Sequence, residues 1–463
     1  MNRASAERVV LNWAVLTTAL AAPVWLWHGG VLEAEAVRFI THYTSSRPLL
    51  EKVFDSATND FGTYQARELS YFVDYLDAQF YALLVARFDV TLFVPLSSMV
   101  ASVLFVGALL AGIYRTMPNI GTWAATWLAA CLVSSFEFLS TMGVFYRSSK
   151  PLLAVAVVTF LFHVRNVQRK RSLSARERPG DARRDRWIAL VLLVFGGLID
   201  RQGVFYVGLA GLVLLIHYRA TRELGDLLGV VAISAGILIS YNLGIAPVVT
   251  YALNGYWPDF SYQLVHPGRA LSPRYLWVAT HLLLENIAGV FGGWRPATSV
   301  LVSGFTLASY FVARRLTVSR PVRYAALVLA GQIVMFALMS FRHPPIYEWV
   351  DHRHWYYPLP FIGTVVFGLA AWLDWVTPRL RPSGRRITAA ALLLAVIGNI
   401  AALGHMRTIM EGGPWFGPVF AQSEWLKASL RSGQADPRLH AEYRSFFDVE
   451  RARRGRVRPT SRE

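Results

Sequence analysis

Apolar segments of membrane-spanning length alternate with short polar segments along most of the chain. A helix needs roughly 20 largely apolar residues to cross a bilayer, and the chain holds about eleven candidate segments. Backbone groups in lipid must find their hydrogen bonds within the segment, which favours helices. The pattern predicts an all-α fold, a polytopic transmembrane helical bundle of about eleven spans. The predicted spans cover residues 9–27, 91–114, 120–141, 151–164, 187–199, 204–217, 227–250, 298–312, 324–341, a segment that ends at 375, and 387–403.

The first predicted span is followed by a long loop, residues 28–90. Loops of this length are usually functional or form small subdomains. Its second half, ARELSYFVDYLDAQFYALLVARF, places apolar and aromatic residues at helical spacing, interrupted by Asp74, Asp77 and Arg87. This spacing predicts an amphipathic helix that lies on the outer membrane surface.

A second long loop covers residues 251–295. Its segment Tyr275–Phe291 is apolar enough to cross, but polar residues interrupt it. If this segment crossed the membrane, the basic stretch ARRLTVSRPVR would lie outside, against the charge rule. We therefore interpret it as a second surface helix. The chain is divided into a transmembrane module, residues 1–405, and a polar C-terminal tail, residues 406–463, which eleven spans would place outside.

Composition and charge agree with a membrane protein. The chain is 54% hydrophobic and 16% charged, whereas soluble proteins average about 25% charged residues. Its net charge is +17, but the basic residues concentrate in loops beside apolar segments, where anionic lipid is the natural counter-charge. The stretch RNVQRKRSLSARERPGDARRDR is the strongest marker of a cytoplasmic loop. Nucleic acid is not an expected partner. The single cysteine, Cys131, excludes a disulfide framework within the chain.

The opening residues resemble an uncleaved signal anchor, with Arg3 and Arg8 before the first span. The positive-inside rule then predicts a cytoplasmic N-terminus.

Ionisable residues gather in the loops that this topology places outside. The pair Asp200 and Arg201 is the sharpest case, because it joins two short predicted spans. Such a pair is costly in contact with lipid, so it should face a cavity and have a partner. The other candidates in these loops are Asp60, Glu68, Arg147, Lys150, His352, Arg353 and Tyr356.

This mixture of side chains suits a particular chemistry. A carboxylate can act as a general base or bind a cation. Arginine and lysine hold phosphate, and aromatic side chains offer apolar faces to sugars or lie at headgroup level. Together they fit glycosyl transfer from a lipid phosphate to an acceptor hydroxyl.

At this point the chain resembles a known family. The long first loop with Asp60, in SATNDFGTYQARELSY, and a surface helix is similar to the layout of the GT-C superfamily of integral-membrane glycosyltransferases. The segment HRHWYYPLPFIG is similar to the entry into a late span in bacterial members, and Asp200-Arg201-Gln202-Gly203 occurs where several members place a polar turn. The resemblance implies a polyprenyl-phosphate sugar donor, an extracytoplasmic active site, a bacterial-type inner membrane and inversion at the anomeric carbon.

Within that resemblance we expect Asp60 to be the general base, with Glu68 as second choice or helper. Arg201 and Arg353 would stabilise the departing lipid phosphate. The other substrate-binding residues would be Arg147, Lys150, Asp200, His352 and Tyr356. Among them, Arg147 and Lys150 would assist at the phosphate, and His352 would be a cation ligand or a donor to the phosphate. The first loop lacks the adjacent Asp-Glu or Asp-x-Asp pair of many members, so metal dependence stays open, with a divalent cation as one alternative. The acceptor, a glycan, a lipid or a protein, stays open as well.

Each of these residues also has a structural interpretation. Asp60 could cap a helix, Asp200 and Arg201 could close a tight turn, and Arg353 could belong to an interfacial aromatic belt. Two other functions compete with the enzyme: a transporter or flippase of lipid-linked saccharides, and a non-catalytic membrane subunit of envelope assembly. A transporter should show repeats and midplane charges, whereas the charges here gather at one face.

Overall fold

The computed structural model describes residues 3–27, 39–40, 42–59, 67–88, 96–143, 148–173, 179–258, 289–291 and 359–412, with isolated positions between 425 and 438. Within these residues every regular element is helical, as predicted. The helices are α1 (Arg3–Trp27), α2 (Leu49–Val53), α3 (Ser56–Asn59), α4 (Glu68–Phe88), α5 (Leu96–Thr116), α6 (Thr122–Val133), α7 (Phe136–Gly143), α8 (Ser149–Leu173), α9 (Pro179–Ile199), α10 (Gln202–Thr221), α11 (Gly225–Ser240), α12 (Ala246–Asn254), α13 (Leu359–Val376) and α14 (Pro382–Gly412).

Six helical stretches in this described part of the chain are long and apolar enough to cross a membrane. They identify the chain, by length and composition, as a helical membrane protein. They coincide with the predicted second, fourth, sixth, seventh, tenth and eleventh spans. The eighth and ninth spans and the second surface helix, apart from residues 289–291, lie outside the described residues. The count of eleven therefore stays a prediction.

Helix α8 lies at the centre of the described bundle. One of its faces packs with α5 and α13 in a core that includes Phe105, Val158 and Phe367. Another face packs with α9, and α9 packs with α10 and α11 around Val167 and Leu193. Because α8 belongs to both helix groups, its first residues stand where the two groups meet.

The third predicted span is not one continuous helix. It divides into α6 and α7 at Ser134 and Ser135. The Ser135 hydroxyl accepts a bond from the Phe138 N–H at 3.3 Å, as an N-cap residue does. The Asn399 side-chain nitrogen of α14 lies 2.9 Å from the Cys131 carbonyl oxygen and 2.8 Å from that of Val290. The Cys131 carbonyl, which the break frees from the helix, therefore keeps a partner, as burial requires.

Two short spans were predicted on either side of Asp200, but the helices there are longer. Helices α9 and α10 contain 21 and 20 residues, which corresponds to about 30 Å each. The basic stretch that was interpreted as a loop is largely helical too, because α8 continues to Leu173 and α9 starts at Pro179. Long basic side chains extend these helices beyond their apolar parts.

The predicted amphipathic helix of the first loop is present as α4, but its acidic residues do not face solvent. Asp74 and Asp77 are buried against the protein, whereas Phe72, Leu76 and Leu83 are 38%, 50% and 52% exposed. The spacing of these three apolar residues places them on one stripe. Helix α4 thus has a polar face towards the protein and an apolar face towards the outside.

Helices α11 and α12 form one stretch, interrupted by a π-helical turn at Tyr241–Ile245. Pro247 stands two residues beyond this turn and has no N–H to donate into the helix. A π turn is a common way to absorb such a lost bond.

The bundle has two ends, which we name by their carboxylates. The Asp200 end joins α9 to α10 and holds the start of α8. The Asp374 end holds the last turns of α8 and α13, where Arg165 and Asp374 form an ion pair of 2.9 Å and the Asn119 N–H donates to the same carboxylate. Arg171 binds Asp226 there with both guanidinium nitrogens. These contacts hold the helices together at this end.

Candidate functional site

An ion pair between Lys150 and Asp200 forms the centre of the candidate site. Lys150 is the second residue of α8, and its Nζ lies 2.7 Å from Asp200 Oδ2. The side chains are 3% and 0% exposed. The Ser149 hydroxyl donates to the same oxygen at 2.9 Å, and the Gln202 N–H donates to Oδ1 at 2.9 Å. The last bond closes an Asx turn that starts α10.

Two arginines add positive charge around this pair. Arg67, just before α4, and Arg201 both lie close enough to Lys150 to interact with it electrostatically, and Arg67 acts on Asp200 as well. Arg201 is partly exposed, and the described residues provide no ion-pair partner for it. Arg67 donates to the Tyr71 hydroxyl at 2.8 Å and lies over the same ring. These three cations provide positive charge at this end that can attract an anion.

Glu68 brings a second carboxylate to this end. It is the first residue of α4, next to Arg67, and is 6% exposed. The Tyr241 hydroxyl donates to Glu68 Oε2 at 3.0 Å. Tyr241 is the first residue of the π turn in the α11–α12 stretch. The residue whose hydroxyl orients Glu68 therefore lies in the irregular part of that stretch.

Two acidic residues of α4 stabilise the surroundings of the site. The Ser148 hydroxyl donates to Asp74 Oδ1 at 3.1 Å, which ties α4 to the start of α8. Asp77 accepts bonds from the Ser97 N–H at 2.8 Å and the Ser97 hydroxyl at 2.5 Å, at the first turn of α5. Burial raises the pKa of Asp77 to about 6, against the effect of these bonds. Asp77 therefore acts as a capping residue for α5.

The first loop is tied to the Asp200 end by a second charged cluster. Arg47 pairs with Asp55 at 2.7 Å and donates to Asn254 at 2.8 Å. The Tyr256 hydroxyl donates to the other oxygen of Asp55 at 2.6 Å. Burial opposes ionisation of Asp55, but His42, Tyr256 and Arg47 together lower its pKa. These bonds fix residues 42–59, here called the loop unit, on the end of α12.

Of the residues singled out from sequence, Glu68, Lys150, Asp200 and Arg201 lie at the Asp200 end. Lys150 is the partner that the Asp200–Arg201 pair was expected to have. Asp60, Arg147, His352, Arg353 and Tyr356 lie outside the described residues, so their predicted roles stay predictions.

Sequence reasoning did not single out Ser149, Tyr241 or Tyr206 for this end. Ser149 lies in a predicted loop, where serine is common. The two tyrosines lie within predicted apolar spans, where an aromatic residue does not indicate a site. A hydroxyl-bearing aromatic residue within a turn of a span's end would have been a useful signal for Tyr206, but Tyr241 lies too far from either end of its predicted span to give it.

No group of three metal-ligating side chains occurs among the residues that the structure describes. The basic surroundings of Asp200 suit an anion better than a cation. Whether a divalent cation takes part stays open, as it did from sequence.

Comparison with known proteins assigns no family. No family model matches the chain, no curated protein matches it, and no solved structure matches its fold.

Proposed function

We propose that this protein is an integral-membrane glycosyltransferase of the GT-C type. It would move a sugar from a polyprenyl-phosphate donor to a glycan, lipid or protein acceptor on the extracytoplasmic side of a bacterial-type plasma membrane. The observation that carries the proposal is the group of three cations, Arg67, Lys150 and Arg201, beside the buried Asp200 and next to Glu68.

The cations supply what a phosphate leaving group requires. Negative charge grows on the phosphate oxygen as the glycosidic bond breaks, and fixed positive charges stabilise that charge. Arg201 is the cation best placed to meet a ligand, because it is partly exposed. Asp200 holds Lys150 in position and offsets one positive charge, so that the cluster can stay buried without ligand.

A carboxylate takes the proton of the acceptor hydroxyl. Asp60 and Glu68 are the candidates, and Tyr241 orients Glu68. The acceptor oxygen attacks the anomeric carbon, the carbon–oxygen bond to the phosphate breaks, and its electron pair stays on the phosphate. The attack and the departure take place on opposite faces, which inverts the anomeric centre.

The charge distribution supports the proposed orientation. The Asp374 end carries the basic ends of α8, α9 and α10 and the stretch between α13 and α14. Arg8 of α1 lies over the Tyr114 ring near this end, 4.7 Å from its centroid. The positive-inside rule then places the Asp374 end and the N-terminus in the cytoplasm and the Asp200 end outside.

A pair of arginines on α10 tests the proposal. We expect Arg201→Ala to lower kcat/KM for a polyprenyl-phosphate sugar by about 100-fold, the usual loss when one transition-state donor is removed. Arg219→Ala, exposed at the other end of the same helix, is the matched control and should keep wild-type activity. The assay measures transfer from a panel of labelled short-chain polyprenyl-phosphate sugars in membranes with equal protein content.

A second substitution distinguishes the residue that acts as general base from the residues that bind the phosphate. Glu68→Gln should lower kcat by about 100-fold or more with little change in donor affinity, if Glu68 acts as the general base. Loss with Asp60→Asn alone would assign the base to Asp60. Transfer at the wild-type rate in Arg201→Ala, Glu68→Gln and Asp60→Asn would reject the enzyme.

A flippase for lipid-linked saccharides is the second candidate, favoured by one observation. The helix break between α6 and α7 lies beside the buried Glu137, and interrupted helices with buried charges are frequent in transporters. Proteoliposomes decide between the two. A flippase moves the intact lipid-linked saccharide across the bilayer with no new glycosidic bond, and the enzyme forms that bond without moving the lipid.

A further inference from the structure

A mostly apolar cavity lies between α8, α9, α10 and α13. Its empty space measures about 990 Å³, including the part that opens to the outside. Gly203 and Tyr206 line it near the Asp200 end, and His217 with Arg165 lines it near the Asp374 end. Between these polar limits the walls are apolar except for Thr364, whose hydroxyl donates to the Pro360 carbonyl. They include Leu153, Val157, Phe160, Leu193, Ala210 and Phe367.

The cavity is long and follows the direction of the helices. Gly203 and His217 are fourteen residues apart on α10, which corresponds to about 21 Å along the axis. The hydrocarbon core of a bilayer is about 30 Å thick, so one leaflet contributes about 15 Å. The cavity is thus longer than the hydrocarbon of one leaflet, and it has room along the helices for one extended lipid chain.

Two polar side chains near the Asp200 end of the cavity have no hydrogen-bond partner among the residues that the structure describes. They are Tyr206, whose hydroxyl is unsatisfied and which lines the cavity, and Gln202, whose side-chain amide is unsatisfied and which stands behind the cavity wall. Gln202 is 1% exposed and Tyr206 7%. The residues are one helical turn apart on the same face of α10. Burying such groups without a partner costs free energy, so a ligand that brings a hydrogen-bonding group to this end would bind favourably.

The order of groups along α10 indicates which lipid. From the Asp200 end towards the middle of the bundle, the chain presents the cation Arg201, then the unsatisfied Gln202 and Tyr206, then apolar wall. A glycerophospholipid presents phosphate, ester carbonyl and hydrocarbon in the same order. An isoprenyl phosphate has hydrocarbon directly beneath its phosphate and would leave the Tyr206 hydroxyl unsatisfied.

We propose that the cavity binds one acyl chain of a glycerophospholipid, whose ester carbonyl accepts a hydrogen bond from the Tyr206 hydroxyl and whose phosphate lies towards the Asp200 end. This inference does not depend on sugar transfer, because it concerns a lipid that the cavity holds in any of the functions considered above.

The ester linkage provides the test in the unmodified full-length protein. The probe is phosphatidylglycerol with a photoreactive diazirine in one acyl chain, added to the purified protein in detergent micelles. We expect crosslinks on the cavity-lining parts of α8 and α10. Unlabelled diester phosphatidylglycerol should compete at about 5-fold lower concentration than its diether counterpart, the effect of about one hydrogen bond. Equal competition by both lipids, or stronger labelling of the cavity by a diazirine-bearing isoprenyl phosphate, would overturn the proposal.

Variants on α10 localise the effect. Tyr206→Phe keeps the ring and should abolish part or all of the preference for the ester lipid. Ala210→Trp fills the cavity and should reduce crosslinking about 10-fold by steric exclusion, whereas Leu212→Trp, on the 49% exposed outer face, should not. An unchanged ester preference in Tyr206→Phe, or full labelling of folded Ala210→Trp, would contradict the site. Neither assay uses a sugar donor, so a loss of sugar transfer would leave this proposal standing. Stronger labelling by the isoprenyl phosphate would overturn it and would favour the transferase.

Discussion

At the scale of single residues, Lys150 and Asp200 show what a buried charge requires. Both are nearly inaccessible, and each is stabilised by the other and by Ser149 and the Gln202 N–H. A buried ion pair adds little net stability, but removal of one partner leaves a buried charge that nothing offsets.

Asp200→Asn should therefore destabilise the protein by about 3 kcal/mol, because Lys150 loses its counter-charge while the bond to the Gln202 N–H can persist. The double substitution Lys150→Met with Asp200→Leu should recover most of that loss. Unfolding in detergent by denaturant titration measures both. An equal loss in the single and the double variant would show that the pair itself, and not the uncompensated lysine, sets the stability.

The sequence alone identified Asp200 and Arg201 as candidate residues, but it did not identify the ion-pair partner of Asp200. A charged pair between apolar segments is visible in the chain, because its desolvation cost demands an explanation. Lys150 stands 50 residues away from Asp200, and nothing in the spacing selects it over other basic residues. Only the packing of α8 against α9 does so.

At the scale of helices, the interruption between α6 and α7 depends on a distant residue. Asn399, buried on α14, contacts the carbonyl oxygens of Cys131 and Val290 through its side-chain nitrogen. Its removal would take a donor from the Val290 carbonyl and would leave the Cys131 carbonyl with only the Ser134 hydroxyl, at 3.3 Å.

Asn399→Leu keeps the side-chain size and removes the donor, and we expect a loss of about 2 kcal/mol in the free energy of unfolding. Ile400→Ala, on the 52% exposed neighbouring face of α14, is the control and should change stability by less than about 0.5 kcal/mol. Thermal unfolding in detergent distinguishes them. Similar shifts in the two variants would mean that the break does not need Asn399.

The loop unit carries a titratable group of its own. Burial lowers the pKa of His42 to about 4, although Asp55 and the bond to the Lys52 carbonyl favour the charged form, and Arg47 and Lys52 oppose it. The neutral ring is thus the folded form. As pH falls from about 6.5 to about 4, the unfolded segment takes up a proton before the folded one, so stability is lost across that window.

We expect the loop unit to lose roughly 3 kcal/mol of local stability between pH 7 and pH 4, from a shift of about two and a half pKa units. Hydrogen exchange of the amides of residues 49–59, at several pH values and corrected for the intrinsic rate, measures this. His42→Gln retains a donor for the Lys52 carbonyl and should flatten the dependence. If the variant keeps the slope of the wild type, another group is responsible.

The helices themselves were largely predictable, and their irregularities were not. Six spans follow from apolar length alone. The break at Ser134 and Ser135 and the π turn at Tyr241–Ile245 lie inside runs of uniform hydropathy. The break is supported by Asn399 from another helix, and the π turn absorbs the bond that Pro247 cannot donate. The sequence also did not predict that the acidic face of α4 points towards the protein. A helical period of 3.6 residues reveals that a helix has two different faces, but it does not show which face packs against the protein.

At the scale of the whole molecule, charge separates the two ends of the bundle. Basic residues dominate the Asp374 end, and the Asp200 end combines acidic and basic groups. The proposed orientation follows from this asymmetry.

Cysteine labelling tests the orientation at two exposed positions. Ser46→Cys, in the loop unit, should react with a membrane-impermeant maleimide in intact cells with a permeable outer layer. Asp181→Cys, at the start of α9, should react only after the membrane is opened. The native Cys131 is buried, which keeps the background low. The reverse pattern would invert the topology and place the candidate site in the cytoplasm.

The contact between α9 and α10 has a mechanical consequence. A Cβ atom at Gly203 would lie 1.9 Å from the Gly196 carbonyl oxygen, so the two backbones touch directly below Asp200. A hairpin joined in this way moves as one rigid piece and carries its carboxylate with it. A movement that opens the site to a substrate must therefore be a movement of the helices packed against this hairpin.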